Sequence, residues 1–468
     1  MIKYKEYMRI FGKRNVEVMN VQSSQQLIED LTLDSNTPYL AVVFSLDGFN
    51  LSEAKILDYF KEHKGERYWF KSKENVFNKI GIGYLDGFTR SNFDSGTLDE
   101  LKTTVFQKLQ YIKLDESIDM KADLFGGMRF DDKKSSDEWM DFDMVGFHLA
   151  RWQFDLEKNA GIFIIEKDEL EKQGLVRYIL HTLEGIERSS VKVRISSIKS
   201  EHEIFPEEWK NLVKETLNVL DSDFLKVVLS RQLLVRMDEH IDLNFIINRL
   251  LDEAGTYIVY FERKNSVFVS KTPEKLFNVF NNKLLTNAIA GSIPRTQDYR
   301  VNDANKAEFL RDEKNLFEHI VVRDSIIEDI KAYTHDIMYD YKPSIMENRY
   351  IYHLYTPIEA VLNEDANLFD VLYQMHPTPA VGGLPKNLAQ EYIKEHEFYT
   401  RGLYAAPLGF ISENNDAEFV VALRSMLIKG SSATLFAGAG IVEGSDPELE
   451  YVETTTKFRP MLNVLEAL

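Results

Sequence analysis

The sequence predicts an α+β fold built on a large, mostly antiparallel sheet. Three observations lead there. Short β-branched or alternating runs follow one another, joined by two- or three-residue polar turns. Amphipathic helical stretches are inserted between those hairpins. With 44% apolar and 12% aromatic residues over 468 positions, the chain can bury a large core.

In chain order, Tyr39–Ser45 and Ile80–Tyr84 read as strands, and 115–143 as an acidic, irregular connector. Residues 208–220 form an amphipathic helix, with Trp209, Leu212, Val213, Leu217 and Leu220 on one face and Pro206 near its start. That helix opens a second, denser half. Strand material follows at 225–229 and 232–236. Residues 258–262 and 266–270 flank the polar 263–265 turn, and 277–280 and 284–286 flank Asn281-Asn282, so both pairs read as hairpins. One long helix is expected from 304 to 332, with Phe309, Leu316, Ile320, Ile327 and Ile330 along a stripe. Further strands fall at 409–411, 418–423 and 433–436, before a terminal helix that begins near Ser445.

Composition narrows the function. Asp and Glu outnumber Lys and Arg by 75 to 56, a formal charge of −19, which disfavours nucleic acid and anionic membranes as partners. An anionic substrate would need local cations, with or without a metal. No cysteine is present, so disulfides, thiolate metal sites and cysteine nucleophiles are excluded. The chain starts without a signal-peptide apolar core and lacks any apolar run of spanning length, so the expectation is a cytoplasmic protein.

Chemistry concentrates in the second half. Residues 376–386, His-Pro-Thr-Pro-Ala-Val-Gly-Gly-Leu-Pro-Lys, cannot form a packed helix or a regular central strand. They read as backbone held in a shape that neighbouring groups need. In the terminal helix, Asp446 and Pro447 make a start, Ser445 and Glu448 fit a capping box, and Glu450, Glu453 and Lys457 share a face. That face is either a solvated ion-pair stripe or, beside the Ala437-Gly438-Ala439-Gly440 turn expected before it, a place for a metal–carboxylate pair. Glu318 lies beside a helical apolar stripe. Two such glutamates from separate helices, without cysteine or clustered histidine, would be hard oxygen ligands suited to Mg²⁺. Lys226 interrupts an apolar strand and either snorkels to water or is desolvated. Glu274 occupies a turn between strands, and Arg424 ends an apolar run where it could clamp a carboxylate.

Taken in order, these segments resemble the chorismate-utilising enzymes: isochorismate, salicylate, anthranilate and aminodeoxychorismate synthases. The resemblance rests on Lys226-Val-Val-Leu-Ser-Arg231, Thr272-Pro-Glu274, Ile289-Ala-Gly-Ser292, Glu318-His319, the 376–386 segment, Arg401-Gly-Leu-Tyr404, Gly438-Ala-Gly-Ile441 and 450–457. It is strong from about residue 205 onward. In the first half, Phe125-Gly-Gly-Met-Arg-Phe130 and Trp139 resemble the longer isochorismate synthases. The resemblance implies the α/β sandwich of the anthranilate and aminodeoxychorismate synthases, with two intertwined subdomains. Residues 1–204 would supply part of the sheet scaffold and 205–468 the chorismate-binding catalytic region, in one continuous unit.

Two positions distinguish branches. The amine-installing enzymes typically lack a lysine at position 226 and read Phe-Pro-Ala-Gly-Thr where this chain has His376-Pro-Thr-Pro-Ala380. Salicylate synthases resemble the chain more closely but tend to carry threonine at 380. The resemblance therefore implies an isomerase, a Mg²⁺-dependent isochorismate synthase, with the long first half leaning towards the menaquinone type. Salicylate formation, a siderophore pathway and a non-catalytic chorismate-binding protein are the alternatives, and no glutamine amidotransferase subunit is implied.

The roles it implies are specific. Glu318 and Glu453 would hold Mg²⁺, with Glu450 behind them, and the ion, the Gly440 N–H and Lys457 would bind the ring carboxylate. Arg424 and Tyr404 would take the enolpyruvyl carboxylate, and Ser292, His353 and Ala380 would line the substrate. Lys226 would deprotonate the water that attacks C2, and Glu274 would protonate the departing C4 hydroxyl. A free lysine near about 10.4 is a poor base and a free glutamate near about 4.3 a poor acid, so both roles demand shifted groups. The sequence departs from the family at Asn287, where some relatives have glutamate, and at Ser292, where many have threonine.

Overall fold

The computed structural model describes residues 21–131, 137–252, 255–296, 299–347 and 351–466. Among them, all 21 strands belong to one hydrogen-bonded network. Every pairing is antiparallel except that of Tyr39–Ser45 with Leu109–Lys113. One arm runs from Leu109–Lys113 through Tyr39–Ser45, Ala160–Glu166, Val145–Asp155, Asn78–Arg90 and Arg67–Lys71. It continues through Tyr257–Arg263, Ser266–Thr272, Ser425–Lys429 and Ser432–Val442 to Lys226–Met237 and Ile198–Glu203. A second arm leaves Val145–Asp155 through Asp123–Met128 and passes by Pro407–Ser412, Ala417–Val421 and Lys275–Phe280 to Lys283–Pro294 and Ile351–Leu362. The α+β expectation holds.

Alternation along the strands divides the core in two. Val259 and Phe261 face the larger core, and Ile258 and Tyr260 the smaller. The larger core fills the space between the arms, where Phe70 meets Phe410 edge-on at 5.5 Å between ring centres. The smaller packs the outer face of the first arm against Glu53–Tyr59, Leu175–Arg188, Leu243–Leu251 and Pro447–Leu465.

Several expectations are corrected. The 115–143 connector contains the wholly buried strand Asp123–Met128. Its two glycines hide it from a propensity reading, and packing demands them: a Cβ on Gly126 would lie 1.9 Å from the Gly146 carbonyl oxygen. The expected long helix is two, Tyr299–Phe309 and Glu313–Ile330, because the Asp312 side chain accepts from the Asn315 N–H and starts a new one. Of the expected stripe Phe309 and Ile330 are buried, while Leu316, Ile320 and Ile327 are only partly so, and the second helix buries His319, Val322, Arg323 and Ile326 as well. The strands at 225–229 and 232–236 are one, Lys226–Met237. The first helix of the second half spans Pro206–Leu217, leaving Leu220 beyond its end.

The 376–386 segment is held by hydrogen bonds to the start of that long strand. Leu225 N–H donates to the Leu384 carbonyl and Val228 N–H to the Gly382 carbonyl, both at 2.9 Å. Gly383 allows this approach, since a Cβ there would sit 2.2 Å from the Lys226 carbonyl oxygen. A buried ion pair locks the arrangement. Arg401 donates to both Glu397 oxygens (2.9 and 2.6 Å), to the Val381 carbonyl (2.8 Å) and to the Val228 carbonyl (2.6 Å). Glu397 also accepts from the Ser230 N–H at 2.7 Å. Glu397→Gln should strand a buried guanidinium and cost about 3–5 kcal/mol. Denaturant unfolding checks this, and a loss below about 1 kcal/mol would contradict the assigned role of the pair.

Candidate active site

Lys226 opens the long strand, opposite Val442 and beside Gly440 of the neighbouring strand. Its side chain is 18% exposed, with Nζ 3.8 Å from Glu318 Oε1. The glycines of Ser432–Val442 give it room. A Cβ on Gly440 would come within 2.8 Å of Lys226 Cε, and one on Gly438 within 2.7 Å of the Tyr404 hydroxyl. Both glycines therefore lie inside a regular strand, paired with Val228 and Ser230, and the turn expected at 437–440 is absent. Their function is clearance, which a sequence reading of the same residues as a turn misses.

Glu274 lies half-buried in the turn after Ser266–Thr272. Its N–H donates to Thr272 Oγ1 at 3.2 Å, its carbonyl accepts from Val421 N–H at 3.1 Å, and Thr378 Oγ1 donates to its Oε1 at 3.2 Å. Burial pushes its carboxyl from an ordinary 4.5 to about 7, against the opposing pull of the Thr378 hydrogen bond and of Lys226 and Lys457. Both lysines therefore act on Glu274, from the long strand and the terminal helix.

A bulge between Ala290 and Ser292, with Gly291 at φ +74°, sets Ser292 opposite His353. Ser292 Oγ and His353 Nδ1 are 2.7 Å apart. Burial lowers the affinity of His353 for a proton, a hydrogen bond with the Gly291 backbone opposes this, and the nearby Arg424 charge adds to the lowering. Arg424 is exposed and left-handed, at φ +46°. Tyr404 is buried flat against Phe436, with ring centres 5.5 Å apart, and burial raises its phenol, leaving a neutral hydroxyl beside Gly438. Ala380 is exposed within the 376–386 segment.

The acidic residues come from two helices. Glu318 extends from Glu313–Ile330, which is held to the sheet by His319 Nε2 at 2.8 Å from Thr356 Oγ1. On Pro447–Leu465, Lys457 bridges Glu453 at 2.7 Å and donates to the Gly438 carbonyl at 2.9 Å. Glu450 accepts from Ser445 Oγ at 2.8 Å. The expected capping box is not formed: Asp446 caps this helix through the N–H groups of Glu448 and Leu449. Pairwise contacts thus run from Glu318 to Lys226, from Lys226 to the glycine strand beside Gly440, and from the Gly438 carbonyl of that strand to Lys457 and Glu453.

The sequence profile of the chorismate binding enzymes matches residues 26–466. This chain belongs to that family. The isochorismate synthase MenF of Bacillus subtilis (strain 168) is 30% identical over 428 residues, spanning 86% of this chain and 89% of that protein. The salicylate biosynthesis isochorismate synthase of Pseudomonas aeruginosa is 34% identical over 263 residues, 56% of this chain and 55% of that protein. Among solved structures, MenF, the menaquinone-specific isochorismate synthase from Escherichia coli, superposes with a TM-score of 0.74 at 22% identity, covering 95% of this chain and 99% of its own. Anthranilate synthase component I from Streptococcus pneumoniae TIGR4 gives 0.65 at 20% identity, over 92% and 94% of the two chains. The fold is thus that of the chorismate enzymes.

Within this family member the donor set suits a hard ion. Burial raises the Glu450 carboxyl, as does the charge of Glu453 and of Asp446, a crowding that a cation would relieve. Among the described residues no three His, Asp or Glu groups close into a metal cluster by themselves. A Mg²⁺ site needs only one or two protein carboxylates and keeps several waters, so this open set fits it. No helix among the described residues is long and apolar enough to cross a membrane.

Three residues that tie the candidate site together have no role in the sequence reading: Thr378 and Arg401 appear there only within motifs, and Glu397 does not appear. Glu397 stands four residues before Arg401, a spacing that signals a pair once both are known to be buried.

The raised Glu274 carboxyl has a stability consequence. Between pH 4.5 and about 7 the folded chain holds a proton that the unfolded chain has released, so its contribution to stability falls as pH rises through that window. Glu274→Gln removes this term. The variant's melting temperature relative to wild type should improve by about 1–3 °C between acidic and mildly alkaline buffer. A difference that does not change with pH would contradict the raised carboxyl.

Proposed function

We propose that this chain is an isochorismate synthase, converting chorismate to isochorismate by adding water at C2 with loss of the C4 hydroxyl. One observation carries the reading: the buried Glu274 carboxyl, raised to about 7 and hydrogen-bonded by Thr378, lies close enough to Lys226 to feel its charge. A carboxyl poised near neutrality can donate a proton at physiological pH, which an ordinary glutamate does poorly.

Each residue then has a task. Lys226 takes a proton from the water attacking C2. The double bonds of the ring shift, and Glu274 delivers its proton to the departing C4 hydroxyl, which leaves as water. One water enters and one leaves, so the reaction is an isomerisation, and both groups reset by exchange with solvent. Arg424 and Tyr404 hold the enolpyruvyl carboxylate, Arg424 by charge and Tyr404 by its neutral hydroxyl. Ser292 and His353 orient one another beside Arg424 and contact the substrate. Lys457 and the Gly440 N–H receive the ring carboxylate. Glu318 and Glu453, with Glu450 through water, would hold Mg²⁺, which when bound supplies the charge that neutralises that carboxylate.

Ala380 supports a reaction that stops at isochorismate, and Lys226 supports water over ammonia as nucleophile, so no amidotransferase partner is required. The near full-length match to the Bacillus MenF, against about half for the Pseudomonas salicylate-pathway relative, supports the menaquinone type.

Purified protein with chorismate and Mg²⁺ should form isochorismate without the fluorescence of salicylate, and chelation of the metal should stop turnover. Lys226→Ala and Glu274→Gln should each lose at least about 10²-fold in kcat with the fold intact by circular dichroism. Near-normal turnover by either variant, or strong salicylate fluorescence from wild type, would contradict the assignment. Gly440→Ala offers a gentler probe. Its Cβ presses only on the flexible end of Lys226, so its melting temperature should hold while kcat falls about tenfold or more. Full activity in that variant would show that the position of Lys226 is not critical.

A further inference from the structure

Thr378 stands where the loop that supports the base strand also touches the acid. Its hydroxyl donates to Glu274 Oε1 at 3.2 Å, and its carbonyl accepts from the N–H groups of Val381 (3.1 Å) and Gly382 (2.9 Å). The Gly382 carbonyl in turn accepts from Val228, two residues after Lys226, at 2.9 Å. One short turn of backbone therefore ties the position of the carboxyl to that of the amine.

We propose that Thr378 is a positioning residue for Glu274, fixing which carboxyl oxygen carries the proton delivered to the leaving hydroxyl. A neutral carboxyl has one O–H. A hydroxyl that donates to Oε1 makes that oxygen the acceptor and leaves the proton on Oε2. The inference rests on the proposed function, because it needs Glu274 as the proton donor.

Three ionisable groups face this carboxyl: Lys226 from the long strand, Lys457 from the terminal helix and the buried Tyr404 phenol. None is altered by changing Thr378. The Thr378 hydrogen bond favours the ionised carboxylate and so opposes the effect of burial. Removing it should raise the pH at which Glu274 loses its proton.

The test compares wild type, Thr378→Val and Thr378→Ser in the pH dependence of kcat/KM with chorismate and Mg²⁺. The valine variant should shift the alkaline limb upward by about half a pH unit or more. Its kcat should fall about tenfold with KM little changed. Serine should restore the wild-type profile. An alkaline limb that stays in place, or a loss confined to KM, overturns the proposal. Carbon-13 titration of glutamate carboxyls, without substrate, separates its failure from that of the function. The resonance missing in Glu274→Gln should move to higher pH in Thr378→Val, and an unmoved resonance overturns the proposal whatever the turnover. If wild type leaves chorismate unchanged while that resonance moves, the contact stands and the assigned reaction falls.

Discussion

The buried pair of Arg401 and Glu397 is the contact on which the site depends. A guanidinium offers five donors in a rigid plane, and four contacts of Arg401 reach Glu397, Val381 and Val228, three different parts of the chain. It joins the backbone at Val228, two residues from Lys226, to the backbone at Val381, three residues from Thr378. The first half of the chain closes around it. The Phe130 ring lies 4.2 Å from the guanidinium, and Trp139 donates to the Thr400 carbonyl at 3.0 Å. Buried ion pairs contribute little net stability against an apolar alternative, but breaking one is costly. Here the pair fixes the register of a loop, and with it the placement of Lys226 relative to Thr378 and Glu274.

Around that frame the cleft resolves an electrostatic conflict. The chain carries a formal charge of −19, yet its proposed substrate has two carboxylates. Lys226 and Lys457 act on Glu274 from two separate elements, Arg424 lies near His353, and the carboxylates beside the lysines are either paired with one or raised by burial. A cation between the two acidic helices would complete the balance. Crowded carboxylates that are costly without a ligand become favourable donors with one. The glycines at 438 and 440 leave room for the Tyr404 hydroxyl and the Lys226 side chain, which a Cβ at either position would crowd.

Much of this was legible in the sequence, for physical reasons. Strands such as Tyr39–Ser45 and the 258–270 hairpin were readable because they are short apolar, β-branched and aromatic runs, buried on both faces, between polar turns. The 281–282 hairpin was readable because both asparagines sit at positive φ, as its turn requires. Asp123–Met128 was not, since its glycines answer to Gly146 and Pro407, which are distant in sequence. The break at Asp312 was missed because the periodicity runs across it and only the cap reveals it. The candidate site was legible as residue types, from Lys226 to Lys457, while the connections among them were not. Thr378 meets Glu274 across 104 residues. No local pattern encodes such a contact.

The central claim is that Lys226 activates a solvent water for attack at C2 while Glu274 releases the C4 hydroxyl. Conversion of chorismate in water enriched in oxygen-18 tests this most directly, with the isotope located in the product by mass spectrometry and carbon-13 shifts. The account predicts one heavy oxygen in isochorismate, at C2, and none elsewhere. Isochorismate formed without the label would mean that the hydroxyl migrates within the substrate, and would contradict the roles assigned to both residues.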